Sequence, residues 1–91
     1  MAKFRKKPVA PNEIFEAFQW FESRGVNPNN AVKHELVDFG RAAFCVTTAH
    51  GQKAIVVDGD WIMAEPDGRG YYPIKPDIFA NRYERVNEQA A

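Results

Sequence analysis

His34, Cys45 and His50 are the side chains with the most reactive chemistry to offer. A thiolate beside an imidazole makes a nucleophile–base pair, and a histidine with an aspartate is half of a metal site. The spacing supports neither arrangement. Cys45 lies between Phe44 and Val46, where a small buried hydrophobe is expected. His50 falls at the tip of an expected hairpin, in water. Asp58 and Asp60 flank Gly59, yet a calcium loop needs several more oxygen ligands in order. Gly68-Arg69-Gly70 is too short for a phosphate cradle, which needs consecutive backbone N–H groups and usually opens a helix. The residues therefore predict no catalytic group, no metal and no cofactor. A small enzyme or metal site around His34, Cys45 and His50 stands as the third reading.

Binding chemistry is better represented. Lys3, Arg5, Lys6 and Lys7 lie within five positions and suit phosphate contacts. Small barrels also stack bases on exposed rings. Trp61, Tyr71 and Tyr72, with Arg69 at their rim, offer a different surface. Aromatic side chains are favoured at protein interfaces because they give large, rigid contact area. The competing expectation for Trp20 and Trp61 is that they fill the core, while the cations keep the chain in solution.

These residues must be held by a small structure. The chain has 91 residues, one domain's worth, with 45% hydrophobic and 13% aromatic residues. Twelve bases and twelve acids cancel, which argues against a strongly electrostatic nucleic-acid binder. A single cysteine leaves no internal disulfide, as suits a reducing cytoplasm. No apolar run reaches the ~20 residues that cross a bilayer, and no apolar stretch follows the basic start as in a signal peptide. The expectation is a cytoplasmic protein without a membrane partner. It is divided into a basic N-terminal arm at 1–8, with the lead into a first strand as the other reading of these residues, one globular domain at 9–86 and a flexible tail at 87–91.

From residue 41 onward the strands are legible. Ala42–Thr48 and Gln52–Val57 read as a hairpin, with Ile55 and Val57 on one face. Asp58-Gly59 is a turn, Trp61–Ala64 a third strand, Pro66–Gly70 another turn and Tyr71–Ile74 a fourth strand. Pro73 lacks an N–H, which puts that strand at an edge. Pro76 opens a helical turn that brings Ile78 and Phe79 into the core, and Asn81–Val86 closes the structure. Earlier residues are less defined. Asn12–Trp20 fits a strand with Ile14, Phe18 and Trp20 on one side, or a helix capped by Asn12. Residues 22–30 are turn chemistry, and 30–37 fit one or two helical turns with Val32, Leu36 and Val37 inward. The fold class expected is mainly β, a small antiparallel, partly open barrel-like sheet with a helical turn before the last strand. An α+β sheet is the alternative.

The strings Arg5–Val9, Phe15–Trp20, Gly59–Ile62, Tyr72–Phe79 and Tyr83-Glu84 resemble a family of small bacteriophage and prophage proteins. Its members carry KPV, EAFQW, GDWI, YP-KPDIF and YE segments in this order. Two departures stand out. Ala10–Glu13 reads as an insertion, and Asp58 stands where the family often has proline. The resemblance implies phage origin and a strand at Phe15–Trp20, without an assigned biochemical activity. The leading expectation is thus a non-enzymatic phage accessory protein that binds a macromolecule, most naturally a host protein, through Trp61, Tyr71, Tyr72 and Arg69. The alternative is a nucleic-acid-binding barrel using Lys3, Arg5, Lys6 and Lys7. An unpaired Tyr71–Ile74 edge would allow a weak homodimer beside the monomer.

Overall fold

A computed structural model describes residues 1–7, 14–38 and 40–86. The expected insertion at Ala10–Glu13, the Asn12 cap and the tail at 87–91 lie outside them. The described residues form eight strands in two antiparallel sheets, and one helix. The strands are β1 (Ala2–Lys6), β2 (Phe15–Gln19), β3 (Lys33–Asp38), β4 (Arg41–Thr47), β5 (Lys53–Ile55), β6 (Trp61–Ala64), β7 (Tyr71–Ile74) and β8 (Tyr83–Arg85). The helix α1 runs Pro76–Arg82. The larger sheet has the order β7-β6-β2-β1-β8, the smaller β3-β4-β5. Neither closes on itself, so the mainly β, partly open fold read from the sequence is what the chain adopts.

The larger sheet is the middle of three layers, and alternation along its strands feeds both sides. Phe18, Trp20 and Ile62 face the smaller sheet and meet Val32, Val46 and Val56 there. Phe4, Ala17 and Met63 face the other way, under Phe79 of α1. The register agrees: Phe18 lies opposite Ile62, and Ala17 opposite Met63.

Four expectations are corrected. The basic start is no arm. Residues 2–6 form β1, an inner strand between β2 and β8, because each outward cation finds an acid across the ladder. Lys3 stands opposite Glu16 and Arg5 opposite Glu84. Residues 33–38 are strand, not helix, because they pair antiparallel with β4 from Lys33 opposite Cys45 to Asp38 opposite Arg41. Ile14 does not join Phe18 and Trp20 in the core but is exposed, and Phe15–Gln19 is the strand. Ile78 also stays outside, 41% exposed, and Phe79 alone enters the core from α1.

The segments that carried the resemblance turn out to be bolted together. Gly59 N–H donates to Trp20 O at 2.8 Å, and Trp20 N–H to Asp60 O at 2.8 Å. Asp60 is buried; one carboxylate oxygen accepts the Val57 N–H at 3.0 Å and the other faces Lys75 Nζ at 3.2 Å. Trp61 stacks on Phe79 with centroids 4.1 Å apart. These residues hold the end of β2, the turn before β6 and the start of α1 in one place.

Candidate functional site

The reactive set of His34, Cys45 and His50 is not assembled. His34 pairs in register with Phe44, and their rings lie 4.7 Å apart on the inner face of the smaller sheet. Cys45, one residue on, points to the opposite face, in register with Lys33 and Ile55. Its thiol is buried, and burial pushes its pKa up, with Glu35 adding to the shift and Lys53 and Lys33 opposing it. A thiol held protonated is a poor nucleophile. His50 sits exposed in the turn between β4 and β5. Asp58 accepts the Glu22 N–H at 2.9 Å, so one oxygen of each candidate aspartate holds a backbone amide. Among the described residues no group of three or more His, Cys, Asp or Glu is placed to hold an ion.

The aromatic set is divided between two faces. Trp61 and Tyr72 lie on the α1 side of the larger sheet, half-buried with Phe79 and Met63. Tyr71 alternates to the other side and packs on the core between the sheets. Arg69 is in the β6–β7 turn, beside Asp67. The four expected contact residues therefore form no single patch. Tyr72 comes from one edge of the larger sheet and Tyr83 from the other, and their hydroxyls meet. Tyr72 O–H donates to Met63 Sδ at 2.8 Å. Burial, then the neighbouring Tyr83 and Glu65, push the Tyr72 hydroxyl up to about 12.

The four cations of β1 and its end also part company. Lys3 and Arg5 face the smaller-sheet side, and Arg5 Nε binds Glu84 at 2.9 Å. Lys6 lies over the Phe15 ring, 5.4 Å from its centroid, and Lys7 Nζ donates to Ala80 O at 2.9 Å. Lys6 and Lys7 meet a cation that sequence reading missed, Arg82 in the last turn of α1. With Tyr83 they line an open cleft of about 360 Å³. No local pattern joins residues 6 and 82; only the pairing of β1 with β8 does.

A second missed feature is on the smaller sheet. Along its inner face burial fades from Val46 (1% exposed) through half-buried Phe44 to exposed Ala42, so the β3–β4 hairpin outruns the larger sheet. Leu36, opposite Ala42, is 63% exposed, and Ile55 and Val57 are more than half exposed. Val37, Ala42, Ala43 and Ile55, with Arg41, line a shallow hollow of about 120 Å³ near the hairpin end. β3 is the outermost strand, and among the described residues nothing pairs with its far side. Among these residues, too, no helix is long and apolar enough to cross a membrane.

No protein-family model, curated protein or solved structure matches this chain.

Proposed function

We propose that the chain is a non-enzymatic binding module whose partner is a protein that adds an extended segment along β3. The observation that carries this reading is the 63% exposure of Leu36 on an edge strand that projects past its own core. An edge strand presents a row of unpaired N–H and C=O groups, and a partner strand gains affinity from these while side-chain positions give specificity. Lys33 and Glu35 on one face and Leu36 on the other would read charge and apolar character in the incoming segment. The separation of His34, Cys45 and His50 supports a role without catalysis. The resemblance to small phage proteins makes a host protein the proposed partner and modulation of the host the proposed role.

The test is a photo-crosslinking residue in place of Leu36, with Ile78 as the control position, in nuclease-treated lysate of a bacterial host. A discrete protein adduct from position 36, lost on Leu36→Lys in a chain that melts as the parent does, is expected. Equal adducts from both positions, or binding untouched by Leu36→Lys, would sink the proposal.

A second reading, nucleic-acid binding, is favoured by the cleft of Lys6, Lys7, Arg82 and Tyr83. It draws on only two of the four cations expected from sequence. Three phosphate contacts on a single strand give a slope of about −2 in log K against log salt. A slope near zero with a labelled oligonucleotide would dismiss this reading and leave the edge-strand proposal in place.

A further inference from the structure

A second cleft, on the side of the molecule where the smaller sheet approaches β7, is built from three separate stretches of chain. It encloses about 220 Å³ and is walled by Asn29, Asn30, Lys33, Thr47, Arg69 and Tyr71. Its charged side chains are Lys33 from β3 and Arg69 from the β6–β7 turn; no acid lines it. Arg69 is committed only to an exposed 3.5 Å contact with Asp67, too solvated to hold it. Carboxamides, a hydroxyl and a phenol supply the remaining polar groups. That is the donor set of an oxyanion site.

The wall is pre-shaped. Asn29 and Asn30 both lie in the left-handed region, a conformation disfavoured for residues with a Cβ, though asparagine tolerates it best. The segment is fastened on either side of them. Asn27 bonds Val32 twice, accepting its N–H at 2.9 Å and donating to its carbonyl at 2.8 Å. Ala31 and Val32 are buried in the core. The floor is tight as well: a Cβ on Gly70 would stand 2.6 Å from Thr47 O. A cleft already held in shape loses little freedom when it is filled.

Asn29, Gly68 and Tyr71 are shared with an adjoining cleft of about 350 Å³. That one is lined by Met1, Phe15, Ala64 and Pro66 and carries two carboxylates, Glu65 and Glu16, the latter opposite Lys3 in the ladder. The pair of clefts is thus polarised, cationic at one end and apolar with acceptors at the other. A ligand matching both ends has its negative charge on one terminus, a flat apolar body over Tyr71, and N–H donors on the far terminus.

We infer that the joined clefts bind a nucleoside monophosphate with an amino-bearing base, its phosphate between Lys33 and Arg69 and its base toward Glu65. This goes beyond the edge-strand proposal and does not depend on it. The experiment follows the amide signals of Asn29, Asn30 and Gly70 by NMR while AMP, adenosine or inorganic phosphate is added to the whole chain. AMP should shift all three and bind at least ~10-fold more tightly than adenosine or phosphate. The Lys33→Ala/Arg69→Ala variant should weaken AMP by ~10-fold or more, one decade being about 1.4 kcal/mol. Lys7→Ala, away from the cleft, should leave it unchanged. Both altered side chains are exposed, so the variant's melt should match the parent's. Absence of shifts at several millimolar AMP, adenosine binding as well as AMP, phosphate binding as well as AMP, or equal loss in Lys7→Ala would each overturn the assignment.

Discussion

Among the described residues Tyr72 departs furthest from ordinary acidity, and the cause is local. Its hydroxyl is half withdrawn from water beside Tyr83 and Glu65, and it bonds Met63 Sδ. A phenolate there would lose hydration and face neighbouring negative charge, so the neutral form is favoured and the pKa rises to about 12. The folded state thus holds this proton more tightly than the unfolded chain, whose tyrosine titrates near 10. Tyr72 therefore contributes its full share of stability below pH ~10 and loses it as pH climbs toward 12. We expect Tyr72→Phe to cost about 1 kcal/mol at neutral pH from the lost hydrogen bond. The same variant should flatten the fall in stability between pH 10 and 12. Urea titrations of both proteins at pH 8, 10 and 11.5 check this, and parallel curves would show that the hydroxyl is not perturbed. Nothing in the string Tyr71-Tyr72 tells which ring faces which layer until the strand register is known. The Tyr72–Tyr83 meeting was for that reason invisible in the sequence.

At the scale of elements, α1 and the β4–β7 approach bear the most strain on substitution. Phe79 is stacked between Trp61 and Tyr83 and is 4% exposed. Phe79→Ala should destabilise the fold by ~3–5 kcal/mol, the usual cost of emptying an aromatic site. In a chain of this size that lowers the melting temperature by more than about 10 °C. Ile78→Ala, next door on the exposed side, should change it by a few degrees at most. Gly70→Ala is a separate probe, because its Cβ would strike Thr47, Thr48 and Ala49 backbone at 2.6–2.9 Å and no side chain is there to swing aside. We expect a loss larger than that from Gly25→Ala, where φ is +65° but no atom lies within 4 Å. Equal melting temperatures for the two variants would mean that the two sheets separate easily. The helix start was legible because Pro76 fixes its first residue, but its buried side was legible only in part, since Ile78 was placed inward with Phe79, and its last turn at Asn81 and Arg82 read as strand. β4, β6 and β7 were legible from their β-branched and aromatic runs and bracketing turns. β3 was not, since Lys33-His34-Glu35-Leu36-Val37-Asp38 has no alternation of its own and becomes a strand by pairing with β4. The exposed Leu36 edge, the feature on which the proposed function rests, shared that obscurity.

For the whole molecule the decisive element is β1. Read locally, Ala2-Lys3-Phe4-Arg5-Lys6 is a charged segment with one aromatic, and it resembles a solvated arm. Within the fold it is the strand that ties the last element to the rest, pairing β2 on one side and β8 on the other. Lys7 N–H donates to Arg82 O and Val86 N–H to Lys3 O, so among the described residues β8 has its ladder only through β1. Phe4, 5% exposed, meets both Trp61 and Phe79, so the same strand fills the space beneath α1. Removing residues 1–6 would take away a central ladder and a core aromatic together, and would free β8. A small domain has only ~5–15 kcal/mol of stability to lose. We therefore expect the truncated chain to show no cooperative thermal transition and collapsed NMR dispersion. Lys7→Glu, which removes one exposed contact to Ala80, should melt within a few degrees of the parent. A truncated chain that still melts cooperatively would return the basic segment to the status of an arm.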